Sequence, residues 1–159
     1  MKYIASCSFG KDSLAMVLRL IAENKPLDEV VYWNNGMDFD CIYAIRDKLK
    51  PILEQKGIKF TELKPKNEFL YDMLEKPVCK GKPNEHKGYA WCGGSCRWGT
   101  MEKIREIDKY CSNSYQYIGI AYDEPQRLAK ERKPNKLFPL ADWKMTEKDC
   151  LEYCRGGGV

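Results

Sequence analysis

The chain has 159 residues, 43% hydrophobic and 31% charged, with 27 basic against 23 acidic side chains and a formal net charge of +4. This length predicts one domain over residues 1–159 with a single buried core, and the composition excludes disordered, collagen-like and coiled-coil classes. The basic excess is smaller than a dedicated nucleic-acid binder carries, and no apolar run approaches the roughly 20 residues of a membrane span, so no membrane partner is expected. The N-terminus, MKYIASCSFGKDS, lacks an apolar stretch of signal-peptide length, so the eight cysteines are expected as mostly free thiols in a reducing cytoplasm.

The predicted elements begin with a short buried strand from Lys2 to Cys7, followed by a helix on which Leu14, Val17, Leu18 and Ile21 recur at helical spacing until Asn24-Lys25-Pro26. Glu29–Trp33 reads as a second strand ended by the turn-like Asn34-Asn35-Gly36. Ile42, Ile45, Leu49, Ile52 and Leu53 outline a second amphipathic helix closed by Gly57. Ile58–Leu63 alternates like a third strand, and Phe69, Leu70, Met73 and Leu74 suggest a shorter helical segment. From Pro77 to Ser95 the periodicity disappears into a long loop of the kind that is usually functional or mobile.

Trp98, Met101, Ile104 and Ile107 restore a helical pattern, Tyr115–Ala121 reads as a fourth strand, and Asp123–Lys136 is a polar segment. Thr146 and Asp149 form a capping-box pattern that opens a last helix through Leu151 and Tyr153. Strands alternating with helices predict an α/β fold: a doubly wound, mainly parallel sheet with helices on both faces, Rossmann-like. In such sheets ligands bind beyond the carboxyl ends of the strands.

The stretch Ser8-Phe9-Gly10-Lys11-Asp12-Ser13 lies at such an end, between the first strand and the first helix. A helix N-terminus presents unpaired N–H groups and about half a positive charge, so an anion is the natural guest. Gly10 permits close backbone approach, Ser8 and Ser13 donate hydroxyl hydrogen bonds, and Lys11 adds a mobile cation. Asp12 either caps the helix or holds a Mg2+ ion shared with phosphates. The spacing fits neither the common P-loop nor the GxGxxG dinucleotide pattern.

At these residues the chain resembles the PP-loop superfamily of adenine-nucleotide α-hydrolases, whose loop is commonly SGGxDS, and within it the phosphoadenosine phosphosulfate (PAPS) reductase-like family, which uses SFG-type loops. Phe9 takes the place of the first glycine. Asn34–Phe39 resembles the family's segment near adenine and ribose, with Asn34 in the usual acidic place and Gly36 in the glycine place. Trp91-Cys92 with the following basic helix, Gly119–Arg127, and Phe138-Pro139-Leu140 with Trp143 match the family order over nearly the whole chain.

The resemblance implies an adenine nucleotide, ATP or PAPS, with Mg2+, bound on Ser8, Phe9, Gly10, Lys11, Asp12, Ser13, Asn34, Gly36 and Arg127. It implies cleavage at the α-phosphate with pyrophosphate release, serving transfer to or from a sulfur donor or acceptor. Arg127 reads as a second anion clamp or as a surface partner of Glu124. Reduction of an adenylyl sulfate is the alternative reaction, although the family's C-terminal Glu-Cys-Gly segment has no counterpart in this sequence. The ending at Gly-Gly-Gly-Val is shorter than that of related chains, which suggests a minimal version, a truncation, or a last element supplied by a partner; a homodimer or a partner subunit is the assembly expected.

Cys92 and Cys96 flank Gly93-Gly94-Ser95, and three readings stand. The pair holds Zn or an Fe–S cluster with further ligands among Cys79, Cys111 and His86; Cys92 is a sulfur nucleophile favoured by Arg97; or both are structural. His86 is the single histidine and sits in the long loop, which argues against a Ser/His/Asp hydrolase. The basic loop Lys76–Lys87 leaves a further alternative, a nucleotide-binding subunit of a nucleic-acid modification or defence complex.

Overall fold

The computed structural model describes residues 1–89, 100–129 and 133–156. The elements run β1 (Lys2–Ser6), α1 (Lys11–Ala22), β2 (Glu29–Trp33), α2 (Asp40–Gln55), β3 (Lys59–Leu63), a one-turn π-helix (Tyr71–Glu75), β4 (Pro77–Val78) and β5 (His86–Lys87). They continue with α3 (Glu102–Tyr110), β6 (Ser114–Ile118), α4 (Pro125–Leu128), β7 (Lys136–Leu137), α5 (Pro139–Asp142) and α6 (Glu147–Gly156). Five strands form one parallel sheet in the order β3-β2-β1-β6-β7. This is the expected α/β doubly wound, Rossmann-like sheet.

Alternation along the strands sends side chains to two faces, and each face has its own cover. Ala5, Val30, Tyr32 and Tyr117 join Leu14, Val17 and Leu20 of α1, Leu49 and Leu53 of α2, and Cys150 and Cys154 of α6 in the larger cluster. On the other face Ile4, Val31 and Trp33 meet Ile107 and Cys111 at the end of α3. Every residue of β2 is buried, Glu29 included. That carboxylate accepts from Lys59 Nζ at 3.0 Å and Tyr110 Oη at 2.6 Å, and also from Thr61 Oγ1. Burial alone would raise its pKa, but the hydrogen bonds from Thr61, Tyr110 and Lys59 outweigh it and hold it below the usual value.

The structure departs from the sequence pattern where elements are too short to carry a period. The stretch expected as a loop from residue 77 contains an antiparallel ladder, Pro77 opposite Lys87 and Val78 opposite His86. The polar segment 123–136 contains α4 and the first residue of β7, which adds a fifth strand beside β6. The capping box is present in full. Asp149 N donates to Thr146 Oγ1 at 3.2 Å, and Thr146 N donates back to Asp149 Oδ2 at 2.8 Å. Among the described residues no helix is long and apolar enough to cross a membrane.

Two residues fix the loop after β1. Phe9 adopts a positive φ of 58° and turns its ring into the core, edge-on to Tyr32 with 4.9 Å between centroids. Gly119, just past β6, lies so close to the first turn of α1 that a Cβ there would stand 2.9 Å from Ser13 Cα and 3.0 Å from Ser13 N. Backbone cannot yield as a flexible side chain would. Gly119→Ala should therefore lower the unfolding free energy by about 1–3 kcal/mol, measured by urea titration. An unchanged midpoint would contradict the close approach.

Candidate functional site

The site is built at the carboxyl end of β1. Among the described residues no side chain caps α1, and Gly10 precedes it in an extended conformation; the first N–H groups of a helix have no intrahelical partner. The Ser13 hydroxyl draws the loop together. It donates to Gly10 O at 3.1 Å, accepts from Ser8 N at 3.1 Å, and meets Ser8 Oγ at 3.1 Å. The Cys7 thiol donates to the same oxygen at 3.8 Å.

A cavity of about 400 Å³ opens beside this loop, between the carboxyl ends of β1 and β6. The strand order reverses between these two strands, which is where open α/β sheets bind ligands. Ser8 and Ser13 line it from the loop, Arg127 from α4, Lys103 from α3, and Ser6 and Gln116 from the strands. Arg127 also pairs with Glu124 at 2.6 Å, so it faces the cavity and holds a half-buried carboxylate at once.

Lys11 and Asp12 lie elsewhere. They are not among the residues lining the cavity; Lys11 Nζ stands 3.1 Å from Asp12 Oδ2 and 3.0 Å from Glu147 Oε2 at the start of α6. Burial lowers the Lys11 pKa, but the hydrogen bonds to Glu147 and Asp12 prevail and raise it. Carboxylate oxygens of Asp12, Glu124 and Glu147 lie within 4.8 Å of one another, and Asp12 Oδ1 is buried without an oxygen or nitrogen partner among the described residues. This all-oxygen set suits a hard divalent cation. Cys150 borders it: burial, then the neighbouring Asp12 carboxylate, pushes its thiol up to about 12.

Asn34 and Gly36 line a second cavity of about 390 Å³, between the ends of β2 and β3, with Lys64–Leu70 opposite. Asn34 Oδ1 accepts from Gly36 N at 2.8 Å, and Asn34 Nδ2 donates to Glu62 Oε1 at 3.1 Å. A carboxylate thus stands beside Asn34. The residues expected from sequence are distributed over three places: Ser8, Ser13 and Arg127 at the first cavity, Lys11 and Asp12 in the acidic cluster, Asn34 and Gly36 at the second. Phe9 and Gly10 shape the loop between them.

Cys92 and Cys96 lie outside the described residues. Of the further ligands considered for them, Cys111 is fully buried under the sheet, and Cys79 Sγ accepts from Asn84 Nδ2 at 3.6 Å in the β4–β5 turn. Sequence reasoning missed Lys103 and Gln116. Gln116 left a faint signal as an amide inside an aromatic strand; Lys103 left none, being one basic residue among several on its helix.

The buried thiols generate a testable consequence. Burial raises Cys7 and Cys111 to about 11. Their folded values exceed the ordinary value of 9.0, so the stability they carry is complete below pH 9 and is lost as pH rises towards 11 and 12. Iodoacetamide at pH 8 should label exposed Cys41 in the native protein and spare Cys7, Cys111 and Cys150 until denaturant is added, as read by peptide mass mapping. Rapid native labelling of Cys150 would overturn this assignment. A scan against protein-family models finds none that matches the chain, and a search of curated proteins finds no relative.

Proposed function

We propose that this chain is a cytoplasmic adenine-nucleotide enzyme of the PP-loop, PAPS reductase-like kind, which acts at the α-phosphate of ATP and serves sulfur transfer. One observation carries the reading: an uncapped helix N-terminus lies beside a cavity at the switch point of a parallel sheet, and Ser8, Ser13 of the helix's first turn and Arg127 line that cavity. Such a site stabilises negative charge with fixed dipoles that need no reorganisation.

The loop's own groups perform distinct tasks in this reading. Backbone N–H groups at the start of α1 orient phosphate oxygens, and Arg127 turns its free guanidinium edge towards them. Lys11 balances the acidic cluster. Mg2+, held by Asp12, Glu124 and Glu147, would supply Lewis-acid neutralisation of phosphate charge. A second reading, a subunit of a nucleic-acid complex, draws on the exposed Lys80, Lys82 and Lys87 of the β4–β5 hairpin.

Isothermal titration with ATP and with PAPS, each with Mg2+, tests the proposal. ATP should bind, and Lys11→Ala and Asp12→Ala should each abolish pyrophosphate release while circular dichroism stays unchanged. Preference for PAPS would favour adenylyl-sulfate reduction. Binding of neither nucleotide, or unaltered turnover in both variants, would defeat the reading.

A further inference from the structure

Two side chains of the β1–β6 crevice have no role in the reading above. Gln116 sits within β6, opposite Ile4 of β1, and is only 3% exposed. Its Nε2 donates to Ser6 Oγ at 2.8 Å, while Oε1 is buried with no partner among the described residues. An unmet buried acceptor costs about 1–3 kcal/mol, so an apolar residue would be the more stable occupant of this position. A hydroxyl both donates and accepts, so Ser6 can hold either end of the amide and leave the other to the crevice.

Lys103 is the second. It lines the crevice from α3, and no carboxylate among the described residues lies within ion-pair distance of it. Burial lowers its pKa, and Asp38 and Cys7 restore only part of the difference. The neighbouring cations each already pair with a carboxylate: Arg127 through one edge with Glu124, Lys136 with Asp108 at 2.7 Å, and Lys11 with Asp12 and Glu147. Ile104, Ile107, Ile118 and Ile120 make much of the remaining wall, which lowers the local dielectric and strengthens any charge pairing made there.

We propose that the crevice between β1 and β6 seats the oxyanion end of the ligand, a phosphoryl or sulfuryl group, with Lys103 holding its charge and the Gln116 amide donating its N–H to one of its oxygens. In that arrangement Ser6 Oγ donates to Gln116 Oε1, so each polar atom of the pair is satisfied. The inference rests on the nucleotide reading only for its choice of probe. It moves the principal side-chain cation of the site from Lys11, on α1, to Lys103, on α3.

Titrations of wild type, Lys103→Met and Gln116→Leu with ATP–Mg2+, inorganic pyrophosphate, inorganic sulfate and adenosine test it. Lys103→Met should weaken ATP and pyrophosphate by about tenfold or more and leave adenosine, which has no oxyanion, unchanged. Gln116→Leu should raise the thermal midpoint of the free protein while weakening ATP about fivefold, the combination expected of a group kept for a ligand rather than for the fold. Tighter uptake of pyrophosphate than of sulfate assigns the seat to phosphoryl groups, and the reverse to sulfuryl groups. ATP binding that ignores Lys103→Met, or a Gln116→Leu that lowers the midpoint without touching affinity, would overturn the inference and leave the nucleotide reading standing. Lys103-dependent binding of pyrophosphate by a protein that takes up no ATP would do the opposite, and uptake of neither would remove both.

Discussion

The hydroxyl of Ser13 and the missing side chain of Gly119 together set everything around the loop. The hydroxyl ties Ser8 N and Gly10 O into one turn, and the bare Cα of Gly119 lets that turn lie directly against the end of β6. A bulkier residue at either point would push α1 away from the sheet. With both in place, the N-terminus of α1 is delivered to the gap where the strand order reverses, and the gap becomes a cavity rather than a groove filled by the helix. Phe9 completes the arrangement from below, since its buried ring on Tyr32 fixes the backbone that Gly10 then leaves.

The charges beside this turn are balanced by α6, a helix drawn from the far end of the chain. Its capping box fixes where the helix begins, and Glu147 N donates to Asp123 Oδ1 at 2.9 Å, so the helix start is tied to the segment after β6. Glu147 then meets Lys11, and Cys154 Sγ donates to Lys11 O at 3.3 Å. Lys11 is pulled towards α6 by this contact. The result sets an acidic cluster under α1 and α6 beside a crevice lined by Lys103, Arg127 and Lys136 with Asp108, and the Arg127–Glu124 pair joins the two.

Elements with a long hydrophobic period were legible in the sequence, and elements without one were not. β2 was readable to the residue because its apolar run is bounded by turn residues, and Thr146 with Asp149 announced the start of α6. β4, β5 and β7 are two residues each, too short for any alternation to register. The site divides along the same line. Loop chemistry is local, so Ser8, Gly10 and Ser13 could be read from adjacency. The directions of Lys11 and Lys103 are tertiary facts: one is set by Glu147 on α6, the other by where α3 crosses the sheet. Gln116 was visible as a residue but not as an unmet acceptor, because burial on both faces of a central strand depends on helices distant in sequence.

The thiols near the loop carry a constraint of their own. Cys7, Cys150 and Cys154 are buried around the start of α1, and burial keeps each of them protonated at neutral pH. Neutral thiols pack as small hydrophobes and add no negative charge beside an anion site, which three carboxylates in the same places would do. A sulfur nucleophile must be a thiolate when it attacks. Within the proposed sulfur chemistry their burial argues against any of these three as the attacking sulfur. The buried cysteines then serve the loop as neutral packing groups around the start of α1.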